Sequence, residues 1–188
     1  MINHKTIIIN GVARSGKDTF INYCQTIMTD SYIYNLSTIT PVKELLTSLL
    51  GDVEKNNKYR KLLSDVKMSL IEYNDYPYTW VINQMQNKIQ MDIDRFNIFF
   101  IHCREPIEIE KFKTRLVNCD TLLITKPDLD IPNNLADQNV NNYKYNYTIN
   151  NNGSLTDLRH QASIFCNAVL IFKNNRYWPS ISEFNLGN

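Results

Sequence analysis

The sequence predicts an α/β protein of three layers, a parallel sheet with helices on both faces. Three observations carry this. Short apolar runs without polar alternation recur as Thr-Ile-Ile-Ile at 6–9, Ile-Phe-Phe-Ile at 98–101 and Leu-Leu-Ile at 122–124, the pattern of strands buried on both faces. Between them lie segments with apolar residues at helical spacing. A glycine-bracketed turn joins the first such strand to the first helix, the βα junction from which parallel sheets are built.

The elements follow in order. Residues 5–10 read as a buried strand, and 16–29 as a helix with Phe20, Ile21, Cys24 and Ile27 on one face. Residues 32–36 form a short strand. Pro41 then starts a helix over 41–50 that Gly51 ends. Residues 58–73 carry Leu62, Leu63, Val66 and Leu70 on one side of a further helix. Pro77 is expected to break the chain, with helix resuming over 79–89. Residues 97–102 and 121–125 are strands flanking a helix over 105–116. The stretch 126–142, with two prolines, several Asn and three Asp, reads as a long polar loop, a kind of segment that is often functional. A strand over 145–149 leads to an Asn-Asn-Asn-Gly turn at 150–153, and Ser154 caps a helix over 155–172. The tail 173–188 has no clear period.

The chain has 188 residues, enough for one domain with a sizeable core. Its 20 basic and 19 acidic residues leave a net charge of +1, which argues for neither nucleic acid nor a membrane surface as partner. Cys24, Cys103, Cys119 and Cys166 are scattered, as are His4, His102 and His160, so neither a disulfide framework nor a zinc site is suggested. No apolar run reaches about 18 residues and no signal-peptide pattern is present. The expectation is a soluble, intracellular protein.

The chemistry concentrates in Gly11-Val-Ala-Arg-Ser-Gly-Lys-Asp-Thr19, a G-x-x-x-x-G-K phosphate-binding pattern between strand and helix. Backbone N–H groups of such a turn and the positive end of the helix after it cradle phosphate oxygens. Gly11 and Gly16 let the backbone curl around the anion, and Lys17 places an ammonium against the outer phosphates. Gly11, Ser15, Gly16, Lys17, Asp18 and Thr19 are therefore the candidate nucleotide-phosphate residues. The common pattern has Ser or Thr directly after the Lys, reaching Mg²⁺. Here Asp18 holds that place and the hydroxyl comes at Thr19, about 100° further round the helix, so the two together are the candidate metal residues.

Arg14, inside the loop, either reaches a transferred phosphoryl group or is a solvated loop-tip cation. Arg104 follows the 98–101 run and is suited to clamp phosphate through its planar fork; the competing reading is an ion pair with Glu105 or Glu108. Lys43, Arg60 and Lys61 are candidates for an acceptor phosphate, and Lys126, opening the polar loop, for a lid cation. Ligands of parallel sheets sit beyond the carboxyl ends of the strands, where the segments 11–17, 102–105 and Lys126 all fall.

With these residues in view, the loop Gly11–Thr19 resembles the G-x-x-[RK]-S-G-K-D loop of bacteriophage deoxynucleoside monophosphate kinases, a variant that animal phosphomevalonate kinases share. Leu36–Leu46, with Pro41-Val-Lys43, resembles their Pro-[IL]-Lys helix entry. Tyr59-Arg60-Lys61 resembles the [RF]-R-[RK] opening their next helix. Asn150-Asn-Asn-Gly153 resembles their late Ile-x-Asn-x-Gly turn. The resemblance runs from Thr6 to about Phe165. It implies a single P-loop kinase domain over 1–188, with an acceptor-binding insertion at about 37–90 and a lid at about 126–142. It further implies ATP and Mg²⁺ as cofactors, Lys17, Arg14 and Arg104 as catalytic residues, and Asn151 and Gly153 near the donor's adenine. Lys43, Arg60, Arg104 and Lys126 would bind the acceptor. The enzyme would be cytoplasmic, in the host cytoplasm if phage-encoded, acting on small nucleotides, with room for a homodimer. One departure stands out: these families carry Asp-Thr-Arg after the central strand, and here the triplet is His102-Cys103-Arg104. The chain is also shorter between the Pro41 and Arg60 helices, where acceptor specificity is expected. The rival readings are a kinase of another phosphorylated metabolite, such as phosphomevalonate or dephospho-coenzyme A, and a nucleotide-binding sensor without catalysis.

Overall fold

Strand β1 (His4–Asn10) is buried from Lys5 onward, as an unbroken β-branched run demands. The structure is a computed structural model and describes residues 3–54, 56–126 and 139–175. After β1 come α1 (Lys17–Ile27), β2 (Ser31–Ser37), α2 (Thr40–Leu50), α3 (Asn57–Asn74), α4 (Tyr76–Met91), β3 (Phe96–His102), α5 (Pro106–Arg115) and β4 (Cys119–Thr125). A 3-10 turn (Asn139–Asn142), β5 (Tyr147–Asn150) and α6 (Leu155–Asn175) complete the described order. The chain forms two compact units, Met1–Asn35 with Asp92–Asn188, and Leu36–Met91.

The first unit holds the sheet, in the order β2-β3-β1-β4-β5. β1 runs parallel to β3 and to β4, and β4 parallel to β5, with Ile8 opposite both Ile101 and Thr121. Alternate side chains of the strands pack with α1 and α6 into one core. Ile7 and Ile9 of β1, Ile98 and Phe100 of β3, Leu122 and Ile124 of β4 join Phe20, Cys24, Leu158 and Phe165 of the helices there. Phe20 meets Phe165 edge-on at 5.4 Å, an arrangement worth about 0.5–1.5 kcal/mol beyond the area it buries.

The residues between them, Ile8, Phe99 and Ile101, are equally buried and point to the other face. Right-handed crossovers account for the two layers. β1→α1→β2 moves across the sheet one way and β3→α5→β4 the other, so α1 and α5 cover opposite faces. α5 brings Ile109 and Phe112, both fully buried. The expected α/β architecture, a parallel sheet with helices on both faces, is therefore present. The switch in direction falls between β1 and β3, which puts the crevice at the carboxyl ends of those strands.

The second unit is helical. α2, α3 and α4 pack on one another, and Val42, Leu46 and Leu63 form a small core cluster lined by Ile39, Tyr59, Val66 and Leu70. Asn56 caps α3 by accepting from the Tyr59 N–H, and Gly51, at φ 72°, ends α2 as its lack of a side chain allows. The expected 37–90 segment lies within this unit.

Two expectations need correction. Pro77 does not break the chain before a helix at 79: α4 already begins at Tyr76 and takes Pro77 into its first turn, where no intrahelical N–H is needed. The break is one step earlier, at Asp75, whose left-handed backbone (φ 57°) closes α3. The far end of the 126–142 loop is also structured, since Asn139–Asn142 makes a 3-10 turn that buries Val140. Residues 127–138 of that loop, and 176–188 of the tail, lie outside the described residues. Among the described residues no helix is long and apolar enough to cross a membrane.

Candidate functional site

The loop after β1 is built from two left-handed glycines and one left-handed arginine: Gly11 (φ 145°), Arg14 (φ 65°) and Gly16 (φ 100°). A side chain has no room at Gly11, and at Gly16 it would displace the Asn151 amide. A Cβ on Gly11 would run into the Ile124 carbonyl and lie 2.6 Å from Ser15 Oγ; one on Gly16 would come within 2.5 Å of Asn151 Nδ2. The curl brings the ammonium of Lys17, first residue of α1, across the loop. Lys17 Nζ donates to the carbonyls of Gly11 at 2.7 Å and Val12 at 2.8 Å, and lies 3.4 Å from Ser15 Oγ. Ser15 is fully buried, and its N–H closes the turn on Val12 O at 3.2 Å. Positive charge and the amino end of an 11-residue helix thus meet at one concave backbone.

Two buried asparagines hold this loop from outside. Asn151, 8% exposed on the turn after β5, donates from Nδ2 to Ser15 O at 2.9 Å, while its own N–H is taken by Thr125 O at 2.8 Å. Its amide is therefore directed at the Gly11–Lys17 loop. Asn10, fully buried at the end of β1, accepts from the Gly11 N–H at 2.7 Å. Its Nδ2 donates to Arg104 O at 3.1 Å and to the Tyr145 oxygen at 2.7 Å. Asn10 thus ties the end of β1 to the segment after β3 and to Tyr145, and Asn151 ties the end of β5 to β4 and to the loop.

The remaining candidates are placed as follows. Arg14 and Asp18 are exposed, and Thr19 is half-buried. Asp18 Oδ1 lies 3.6 Å from His102 Nε2 and accepts from Asn35 Nδ2 at 3.4 Å, so the departure at His102 faces the carboxylate that follows Lys17. Arg104 is half-buried at the end of β3, beside Cys103, whose thiol donates to Glu108 at 3.4 Å. Lys126 is half-buried just past β4. Gly153 is exposed. A Cβ there would meet the Asp157 carboxylate, which accepts from the Ser154 N–H at 2.7 Å while Ser154 Oγ accepts from the Asp157 N–H at 3.3 Å. That reciprocal cap of α6 accounts for Gly153 without a ligand. Lys43 on α2 and Arg60 on α3 are exposed residues of the second unit.

Sequence reasoning missed Asn10, Tyr145 and Asn35. Asn10 left a trace: an amide directly after the Ile7–Ile9 run and immediately before the loop's first glycine is out of pattern for a buried strand. Tyr145 was counted as strand, whereas β5 begins at Tyr147. Its phenol is pushed up to about 12 by burial, so it stays protonated and donates to Val140 O at 2.8 Å.

No family model and no curated protein matches the chain. Among solved structures it is similar to the APS kinase of Mycobacterium tuberculosis, at 11% identity over 86% of this chain and 95% of that one, with a TM-score of 0.41. It is also similar to the dephospho-CoA kinase from Campylobacter jejuni, at 14% identity over 90% of this chain and 97% of that one, with a TM-score of 0.49.

Proposed function

We propose that the chain is a phosphotransferase that moves the γ-phosphoryl group of ATP onto a (deoxy)nucleoside monophosphate. The observation that carries this is the Lys17 ammonium held inside a two-glycine loop at the amino end of α1. In such a reaction the protein positions the reactants and neutralises charge, and an anionic acceptor phosphate needs no protein base. The loop amides and Lys17 bind the donor's outer phosphates. Lys17 exchanges the Gly11 and Val12 carbonyls for phosphate oxygens when the donor arrives. Arg104, at the end of the neighbouring strand, and Arg14, at the loop tip, are the cations for the transferred group and the acceptor. The sequence resemblance adds Lys43 and Arg60 as acceptor residues.

The residues present fit Mg²⁺. This ion keeps several waters and needs only one or two carboxylates beside the phosphates. Asp18, exposed in the first turn of α1 next to Thr19, supplies one. Among the described residues no cluster of three His, Cys, Asp or Glu offers an all-protein cage, which a phosphate-borne Mg²⁺ does not require. Bound there, the ion would neutralise charge on the donor phosphates.

The test is ADP release from ATP·Mg²⁺ over a panel of nucleoside monophosphates. Turnover with one of them is expected. A second reading, a nucleotide sensor without catalysis, rests on His102 standing where a carboxylate would organise the metal; bound ATP with no turnover on any acceptor would favour it.

A further inference from the structure

Three places outside the loop itself invite attention. The second unit exposes Leu45, Leu49, Leu50 and Met68, but nothing shows what covers them. Lys5 is buried against Asp120 and over the Phe172 ring, yet it sits at the opposite end of β1 from the phosphate loop. The third place is the Asn10–Tyr145 pair, and it carries an inference.

Asn10 uses its whole amide. Oδ1 holds the Gly11 N–H, and the two N–H bonds of Nδ2 go to Arg104 O and the Tyr145 oxygen. Tyr145 donates its own O–H to Val140 O. Val140 is buried in the Asn139–Asn142 turn, and Asn139 Nδ2 donates to Glu105 Oε2 at 3.1 Å, directly after Arg104. Buried polar groups are satisfied as a set, because a lone orphan in a low-dielectric interior is costly. A shift of any one member therefore disturbs the others. We propose that Asn10 and Tyr145 are positioning residues that couple three parts of the site: the mouth of the phosphate loop, the Arg104 backbone and the Asn139–Asn142 turn. An anion seated in the loop, which fixes the Gly11 region, then fixes Arg104 and the 139–142 turn with it. The inference rests on the phosphate-loop reading of Gly11–Lys17.

Tyr145→Phe tests it, because it removes the oxygen that both accepts from Asn10 and donates to Val140, and keeps the ring. In the wild type, ADP·Mg²⁺ should slow amide exchange at 139–142. In Tyr145→Phe the protein should melt as a folded chain and bind ADP within about twofold of the wild type, while that ligand-dependent protection is lost. With an accepted monophosphate, the acceptor KM should rise about five- to tenfold at little-changed ADP affinity, the effect of one hydrogen bond. Asn10→Asp, which keeps the acceptor for Gly11 N–H and loses the donors, should reproduce the loss. Equal ligand-dependent protection in wild type and Tyr145→Phe would overturn the coupling. Protection that differs as expected, in a protein that turns over no monophosphate, would support the coupling and count against the transfer reaction alone.

Discussion

The two units of the chain make opposite use of their polar residues. At the Gly11–Lys17 end of the sheet, the buried Asn10 and Asn151 side chains are directed at backbone and Ser15 is buried beside Lys17, so the loop's shape is set by the protein's own hydrogen bonds. In Leu36–Met91 the polar groups that matter for the proposal, Lys43 and Arg60, are exposed on helices that share a small core cluster of Val42, Leu46 and Leu63. A prebuilt site suits the donor phosphates, whose geometry is the same in every nucleotide. A lightly held helical unit suits an acceptor, whose identity varies. On the proposed reading, rigidity would be placed where the ligand is invariant.

The largest expected effect strikes the rigid side. Lys17→Ala should lower turnover by about 10²–10³-fold in a protein that still folds, since it removes a preorganised charge and two loop hydrogen bonds but no core packing. Near-normal turnover would end the assignment of this loop to catalysis. In the helical unit, Leu46→Ala truncates a member of its core cluster and should cost about 2–5 kcal/mol. Hydrogen exchange should show opening confined to 36–91, with ATP affinity kept; a loss of ATP binding in step with that opening would abolish the contrast between the units. Gly16→Ala should cost about 1–3 kcal/mol, from a left-handed φ and the Asn151 amide in the way. Combined with Asn151→Ala, the losses should be less than additive in denaturant titrations, because both act on one contact. The smallest effect is the most discriminating. Arg104→Lys keeps the charge and loses the fork, so acceptor KM should rise about tenfold, the worth of one charge-assisted hydrogen bond of about 1.5 kcal/mol, with ATP affinity unchanged. Equal losses for both substrates would move Arg104 to the donor side.

Local signals were easy to read in the sequence. The apolar runs of β1, β3 and β4 and the loop spacing depend on neighbours in the chain, so strand type, sheet class and the positions of Gly11, Gly16 and Lys17 were legible. Boundaries failed where two signals overlap, as at Pro77, a residue type that both stops and starts helices. What could not be read were partnerships across distance. Nothing local says that Asn151 points at Ser15, that Asn10 shares Tyr145 with Val140, or that His102 lies beside Asp18. Each depends on strand register, which only the assembled sheet provides.

The hydrogen bond from Asn151 to Ser15 spans 136 positions of the chain. During synthesis the motif Gly11–Lys17 is complete long before the side chain that secures its curl has been made. At about 5–20 residues per second that delay is about 7–27 seconds. A nascent chain carries every residue of the motif through that interval without one of its two asparagine anchors. Nucleotide binding should therefore be absent from stalled intermediates that end before β5. If the loop binds nucleotide as proposed, binding should appear only in chains long enough to include β5 and Asn151.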